Sequence, residues 1–310
     1  MESKYLAQSL VPYKEKDKEL LIGSHISFKK PDYFLDSVKE ALRIKASSFM
    51  IFLGAPNNTV RFPIKNMKFD EGKELWRRNG LDIKNVAVHF PYIINPASPD
   101  EEKAQFSLNF IEDELDRMEE AGLTLMCLHP GSSKDKDRME YTKVLADRLK
   151  PIFAKHPKIK CSLENMAGGG SQLNVGLNEA KMFVEYIGLD NFGITIDSCH
   201  LWDSGEDFTD TQGLLNRIEK TIGFNKVFLI HLNDSLNPRG SKKDRHANIG
   251  KGMIGEANLL RFALNEHFKD VPKILETPET RDGDEHKKEI EEIRFLGKNS
   301  LVHVRDKSAS

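Results

Sequence analysis

Gly193-Ile194-Thr195-Ile196-Asp197-Ser198-Cys199-His200 is a short, largely apolar run that ends on a carboxylate, with an imidazole three residues further on. A run this short without polar alternation reads as a strand buried on both faces. If the chain turns helically after it, Asp197 and His200 stand at i and i+3 and project to one side. Seven more such runs are read as strands: Leu20–Gly23, Ser48–Leu53, Val86–Val88, Thr124–Leu128, Lys160–Leu163, Val227–Ile230 and Lys273–Leu275. Segments of helical period lie between them. Tyr33, Phe34, Val38, Ala41 and Leu42 form one apolar stripe, Phe106, Phe110, Ile111, Leu115 and Met118 a second, and Phe183, Val184 and Ile187 a third. Ser98-Pro99-Asp100-Glu101 reads as a capping box with proline at the first helical position. Strand then helix, eight times over, predicts an α/β chain folded as a single (β/α)8 TIM barrel. Residues 20–297 are assigned to that catalytic barrel, residues 1–19 to a polar extension, and Lys298 to Ser310 to a loose polar tail.

On such a barrel six ligand-type residues fall into place. His89, His129, Glu164, Asp197, His231 and Glu276 each directly follow one of the third to eighth runs, at the face where barrel active sites are built. Asp and Glu (48) with His (10) make up roughly one residue in five of 310, so six consecutive hits are not expected from chance. His231 is followed, after a basic loop, by Asp244 and His246, and His200 follows Asp197. The nine residues offer five imidazoles and four carboxylates, too many donors for one ion and about right for three. His25, at the end of the first run, is expected to support this set from behind. Cys199 is expected to pack as a small apolar group rather than to ligate.

Composition narrows the function classes. The chain is 310 residues long and 39% hydrophobic, enough for a large core. No apolar run approaches the ~18 residues of a membrane span, and Met1 to Glu19 lacks an apolar signal region. Three cysteines, Cys127, Cys161 and Cys199, give no disulfide framework, so a reducing, cytoplasmic setting is expected. The formal net charge of −2 does not by itself advertise nucleic-acid binding, but three divalent ions would reverse its sign. The stretch from Asn237 to Gly252 carries Arg239, Lys242, Lys243, Arg245 and Lys251 against one acid, Asp244. The first four of those bases are expected to contact DNA phosphates.

Four segments carry a specific resemblance: Leu128-His129-Pro130-Gly131-Ser132, Leu163 through Gly170, Gly193 through His200, and His231-Leu232-Asn233-Asp234-Ser235 with Asp244 through Gly250. They resemble the signature blocks of the endonuclease IV family of apurinic/apyrimidinic endonucleases, over about Ile22 to Glu276. That resemblance implies a trinuclear zinc barrel, expected as a monomer, that nicks duplex DNA on the 5′ side of abasic sites. It further implies His89 and His129 on the first ion, Glu164 bridging first and second, Asp197, His231 and Glu276 on the second, and His200, Asp244 and His246 on the third. Tyr92-Ile93 resembles the family's wedge into the minor groove. The loop after the second strand reads Gly54 to Arg61 and lacks the basic residue expected near Asn57, leaving Arg61 as its substitute.

Two cations sharing a carboxylate would lower the pKa of a water between them towards ~7, and a third could neutralise a departing 3′ oxygen. Mixed imidazole and carboxylate donors suit Zn2+, with Mn2+ or Fe2+ also accommodated. The rival is a single-metal sugar isomerase or epimerase, for which Glu164, Asp197, His231 and Glu276 would suffice. It leaves five ligand-type residues and the basic loop without a task. A metal-dependent DNA-binding protein would instead bind damage without cutting.

Overall fold

The computed structural model describes residues 20–280 and 283–307; the polar extension expected over residues 1–19 lies outside them. Eight parallel strands form one sheet: β1 (Ile22–Ser24), β2 (Phe49–Ile51), β3 (Val86–His89), β4 (Leu125–Leu128), β5 (Lys160–Glu164), β6 (Phe192–Asp197), β7 (Val227–His231) and β8 (Lys273–Leu275). Each is bonded to its sequence neighbour from β2 to β8, and β8 bonds β1. The remaining seam, between β1 and β2, is joined by a parallel bridge from His25 to Met50 and by the Ile26 amide to the Met50 carbonyl at 2.8 Å. Gly23 permits that approach, because a Cβ there would lie 1.7 Å from the Ser48 carbonyl oxygen. The sheet is a (β/α)8 TIM barrel.

Helices cover its outer face: α1 (Phe34–Arg43), α2 (Phe69–Arg78), α3 (Glu101–Ala121), α4 (Arg138–Lys155), α5 (Gly176–Ile187), α6 (Ser198–Ser204), α7 (Thr211–Thr221), α8 (Glu256–Ala263) and α9 (Glu285–Lys307). No helix among the described residues is long and apolar enough to cross a membrane. The outward-facing strand residues Val88, Met126, Leu163, Ile194 and Leu275 join the buried helix faces in one apolar cluster, while Met50, Ala87, Leu125, Cys127, Leu229 and Ile274 fill the barrel. Between β7 and α8 the chain inserts a small antiparallel hairpin, Asp234–Ser235 against His246–Ala247.

Several boundaries differ from expectation. Strands β3, β5, β6 and β7 each run one residue further and take in His89, Glu164, Asp197 and His231, because the ladder continues up to the point where the loop departs. Helix α3 starts at Glu101 rather than at Pro99. Its cap is Asp100, whose Oδ1 accepts the Lys103 amide at 3.2 Å, while Ser98 Oγ accepts the Asp100 amide. Phe106 drops out of the expected stripe and is 56% exposed; Ala104, Leu108, Ile111, Leu115 and Met118 carry the buried face. Tyr33 caps α1 from outside its stripe. The backbone expected as a loose tail from Lys298 continues α9 to Lys307.

Candidate metal centre

Side chains alternate along a strand, and this parity builds the site. On β3 Ala87 faces the barrel axis and so does His89; on β4 Leu125 and Cys127 are followed by His129; on β8 Ile274 is followed by Glu276. Ser162 and Thr195 share one layer, their hydroxyls 2.6 Å apart, directly beneath Glu164 and Asp197. The six strand-end residues therefore converge on the axis at the C-terminal mouth.

Glu164 lies at the centre. Its Oε2 is 3.3 Å from His89 Nε2 and 3.2 Å from His129 Nε2, and its Oε1 is 3.1 Å from His200 Nδ1 and 3.3 Å from His231 Nδ1. His231 Nδ1 is also 3.2 Å from Glu276 Oε2. His200 Nε2 reaches Asp244 Oδ2 at 3.2 Å, and His246 Nε2 reaches Asp244 Oδ1 at 3.3 Å and Asp197 Oδ2 at 3.6 Å. Two compact donor groups are Glu164, Asp197, His231 and Glu276, and Asp197, His200 and His246; a third joins His89 and Glu164 with Cys127.

Three imidazoles are aimed from behind. His89 Nδ1 lies 2.7 Å from the Phe90 carbonyl, His200 Nδ1 3.0 Å from that of Asn165, and His246 Nδ1 3.1 Å from that of Glu276. A backbone acceptor on one nitrogen leaves the other as a lone-pair donor, the usual support for a metal-ligating histidine. The inward nitrogens of His200 and His246, and both of His231, are buried and make no well-aligned hydrogen bond, although carboxylate oxygens lie 3.2 to 3.6 Å from His200 Nε2, His246 Nε2 and His231 Nδ1. Such orphaned atoms are costly in a core, and cations at this mouth would satisfy them. The donor chemistry therefore fits divalent ions.

Without ions, the carboxylates and imidazoles of the mouth stabilise one another's charged forms. Burial would raise the Glu164 carboxyl, but the imidazoles of His231 and His129 outweigh it and hold it well below the usual carboxylate range. Burial opposes protonation of His200 and His231, yet Asp197 next to the first and Glu276 and Glu164 next to the second hold both well above the ordinary histidine value. His25 behaves differently: burial brings its pKa down to about 4. It is a neutral ring beside Phe52 and His89, with Nδ1 4.0 Å from Glu276 Oε1.

The expected DNA-contacting residues divide. Tyr92 and Ile93 are 57% and 46% exposed at the tip of a loop fixed on both sides, by buried Phe90 and Ile94 and by Asn95, whose side chain bonds the Ser132 amide and carbonyl. Lys242, Lys243 and Arg245 are exposed on the hairpin loop, the last with Nη1 on the Asp244 carbonyl. Arg239 is paired with Asp207. Arg61 turns inward instead: its Nε meets buried Glu114 Oε1 at 2.7 Å and its Nη1 binds the carbonyls of Asn58 and Val60. A guanidinium committed to a buried carboxylate is not presented to a phosphate, so the expected substitution by Arg61 is not carried further.

Sequence reasoning passed over Asn165, Asn233 and Cys127. Asn233 Nδ2 donates to Asp197 Oδ2 at 2.7 Å and its Oδ1 accepts the Glu276 amide, while Asn165 Oδ1 accepts the Asp197 amide. Each asparagine lies one or two positions past a ligand, a signal that adjacency could have supplied.

A sequence profile described as a xylose isomerase-like TIM barrel matches residues 38–299. The chain is 40% identical over 259 residues to a probable endonuclease 4 of Mycoplasma pneumoniae, covering 83% of this chain and 91% of that one. The chain belongs to the endonuclease IV family. A second probable endonuclease 4, from Acholeplasma laidlawii, is 39% identical over 281 residues, or 89% of this chain and 95% of that one. The crystal structure of endonuclease IV from Thermus thermophilus superposes with a TM-score of 0.77 at 26% identity, covering 89% of this chain and 98% of that one. A D-tagatose 3-epimerase-like protein shares the fold at a TM-score of 0.64 and 19% identity, with 91% and 100% covered. As a member of this endonuclease IV family the chain is a nuclease, a hydrolase of phosphodiesters.

Proposed function

We propose that this endonuclease IV homologue cuts duplex DNA on the 5′ side of abasic sites, leaving a 3′-hydroxyl and a 5′-deoxyribose phosphate, as a step of base excision repair. One observation carries the reading: both oxygens of Glu164 are each flanked by two imidazoles, and Asp244 and His246 extend the set beyond what a single ion uses. His89, His129 and Glu164 would hold one divalent ion, Glu164, Asp197, His231 and Glu276 a second, and His200, Asp244 and His246 a third, with Zn2+ the best match to the donors. The chemistry such ions supply is Lewis acidity, which acidifies a water nucleophile and neutralises phosphate charge.

The chain's own residues do the rest. Glu164 would be shared by the two deepest ions, and Asn233 orients Asp197 and the Glu276 backbone together. Asp244, half exposed at the rim between His200 and His246, would help hold the third ion, whose charge could neutralise the departing 3′ oxygen. Tyr92 and Ile93 stand clear of the surface, suited to fill the stack beside a sugar that has no base. Lys242, Lys243 and Arg245 border the mouth and suit the DNA backbone.

The test is a duplex carrying one tetrahydrofuran site, incubated with purified protein with and without prior chelation. Incision 5′ to the lesion that is lost with the ions is expected. Tight binding of the duplex with no scission, or turnover of a ketose with no scission, would replace this reading.

A further inference from the structure

We propose that Cys127 is a tenth protein donor of the metal centre, a thiolate ligand to the ion held by His89 and Glu164; this rests on the multi-ion reading above. Cys127 sits on β4 two residues before His129 and so shares its inward parity, one layer deeper in the mouth. Its Sγ is 3.4 Å from Glu164 Oε2, the oxygen that also stands 3.3 Å from His89 Nε2 and 3.2 Å from His129 Nε2. Donors sharing a tetrahedral zinc, with Zn–N of about 2.0 Å and Zn–S of about 2.3 Å, stand about 3.3 to 3.5 Å apart. Sγ, Glu164 and His89 form a compact donor group of fully buried residues. His231, also fully buried, has Nδ1 3.3 Å from the other oxygen of Glu164 and 3.2 Å from Glu276 Oε2, and neither of its ring nitrogens makes a well-aligned hydrogen bond, which leaves donors aimed into this pocket unsatisfied.

The other two cysteines lack this setting. Cys161 packs in the outer apolar cluster, where burial pushes its thiol far up. Cys199 lies near Asp244 and His246, but its Sγ donates at 3.6 Å to Asp203 Oδ2, a carboxylate outside the nine candidate ligands, whereas the Cys127 thiol donates to Glu164 itself. As the sulfur–metal bond forms at Cys127, the S–H bond breaks and its proton leaves to solvent. A soft thiolate would bias this one position towards zinc or cobalt over manganese.

The holoenzyme gives the first readout: zinc X-ray absorption should show sulfur at about 2.3 Å, averaging one scatterer per three ions. Protein reconstituted with Co2+ should show a near-ultraviolet thiolate-to-cobalt charge-transfer band. That band should vanish in Cys127→Ser, persist in Cys161→Ser and Cys199→Ser, and be accompanied in Cys127→Ser by at least a tenfold loss of affinity for one ion. Three bound ions with no sulfur scatterer and no band would overturn the ligand assignment while leaving the three-ion reading intact. A band lost in Cys199→Ser instead would also overturn it. A single bound ion would count against the three-ion reading, and the sulfur signal would still decide Cys127.

Discussion

Glu164 shows how much chemistry one buried side chain can concentrate. A carboxylate at the centre of a protein is ordinarily destabilising, and here the four imidazoles around it make the charged form the stable one. Glu164→Gln keeps the shape and removes the shared charge. Incision is expected to fall about a hundred- to a thousandfold or more, the scale of a single preorganised electrostatic group, and elemental analysis should find fewer ions per chain with an unchanged circular dichroism spectrum. Near-normal cutting by Glu164→Gln would remove the bridge from the mechanism. Lys273 is the opposite case, a buried amine with no carboxylate in contact among the described residues. It is fully buried, donates Nζ to the Phe268 carbonyl, and burial lowers its pKa to about 7 against a weak pull from Asp270. Between about pH 7 and 10 the unfolded chain binds this proton and the folded chain does not, so stability should rise with pH across that window. Urea titrations should show this rise in the wild type relative to Lys273→Met. Parallel curves would mean that the ammonium stays charged in the fold.

At the scale of elements, the hairpin insertion carries Asp244 and His246, two of the three residues proposed for the third ion, on very little regular structure. What holds it is Asp234, whose buried carboxylate accepts the amides of Ser235, Gly250, Gly252, Ile254 and Gly255. Gly252 is needed for that wrapping, since a Cβ there would stand 2.5 Å from Asp234 Oδ1. Asp234→Ala should therefore speed amide exchange across residues 248–255 and cost the protein one ion, while barrel amides keep their protection. Protection unchanged in the hairpin would show that the loop is held by other contacts. The loop after β3 is the second such element. Because Tyr92 is fixed at its base and exposed at its tip, Tyr92→Ala should weaken binding to abasic duplex ten- to a hundredfold, on the ~1–3 kcal/mol of a base–aromatic stack, with little change in melting temperature. A lowered melting temperature with an unchanged ratio of abasic to intact affinity would make it a packing residue. These elements also mark where the sequence was legible. Strand-end positions were readable because a short, largely apolar run meets a ligand-type residue at His89, Glu164 and Asp197. Cys127 was not singled out, because only the residue following each run was weighed and not the inward residue below it. The Arg61–Glu114 pair lay beyond reach as well, since it joins a loop to a helix 53 residues away and nothing local in either announces the other.

For the whole molecule, the fold alone leaves the activity open, because epimerase-like proteins share this barrel. The two readings differ in the number of cations proposed for the mouth, and that number is measurable. Gently purified protein is expected to carry close to three divalent ions per chain and to keep cutting through brief exposure to EDTA without added magnesium, because nine or more protein donors hold ions more firmly than the sparse sites that suit magnesium. The apolar cluster between strands and helices does not involve the ligands, so exhaustive chelation should leave the barrel folded by circular dichroism. Ions that bind only the folded state nevertheless stabilise it by mass action, by about 4 kcal/mol at a thousandfold excess over Kd. The metal-free protein should accordingly melt several degrees lower and recover as zinc is returned, with protons released as the imidazoles held above their ordinary pKa give way to metal. A plateau at one ion per chain, with full thermal recovery at that point, would place this chain with the single-metal barrels and leave His89, His129, His200, Asp244 and His246 as a hydrogen-bonded set around that ion.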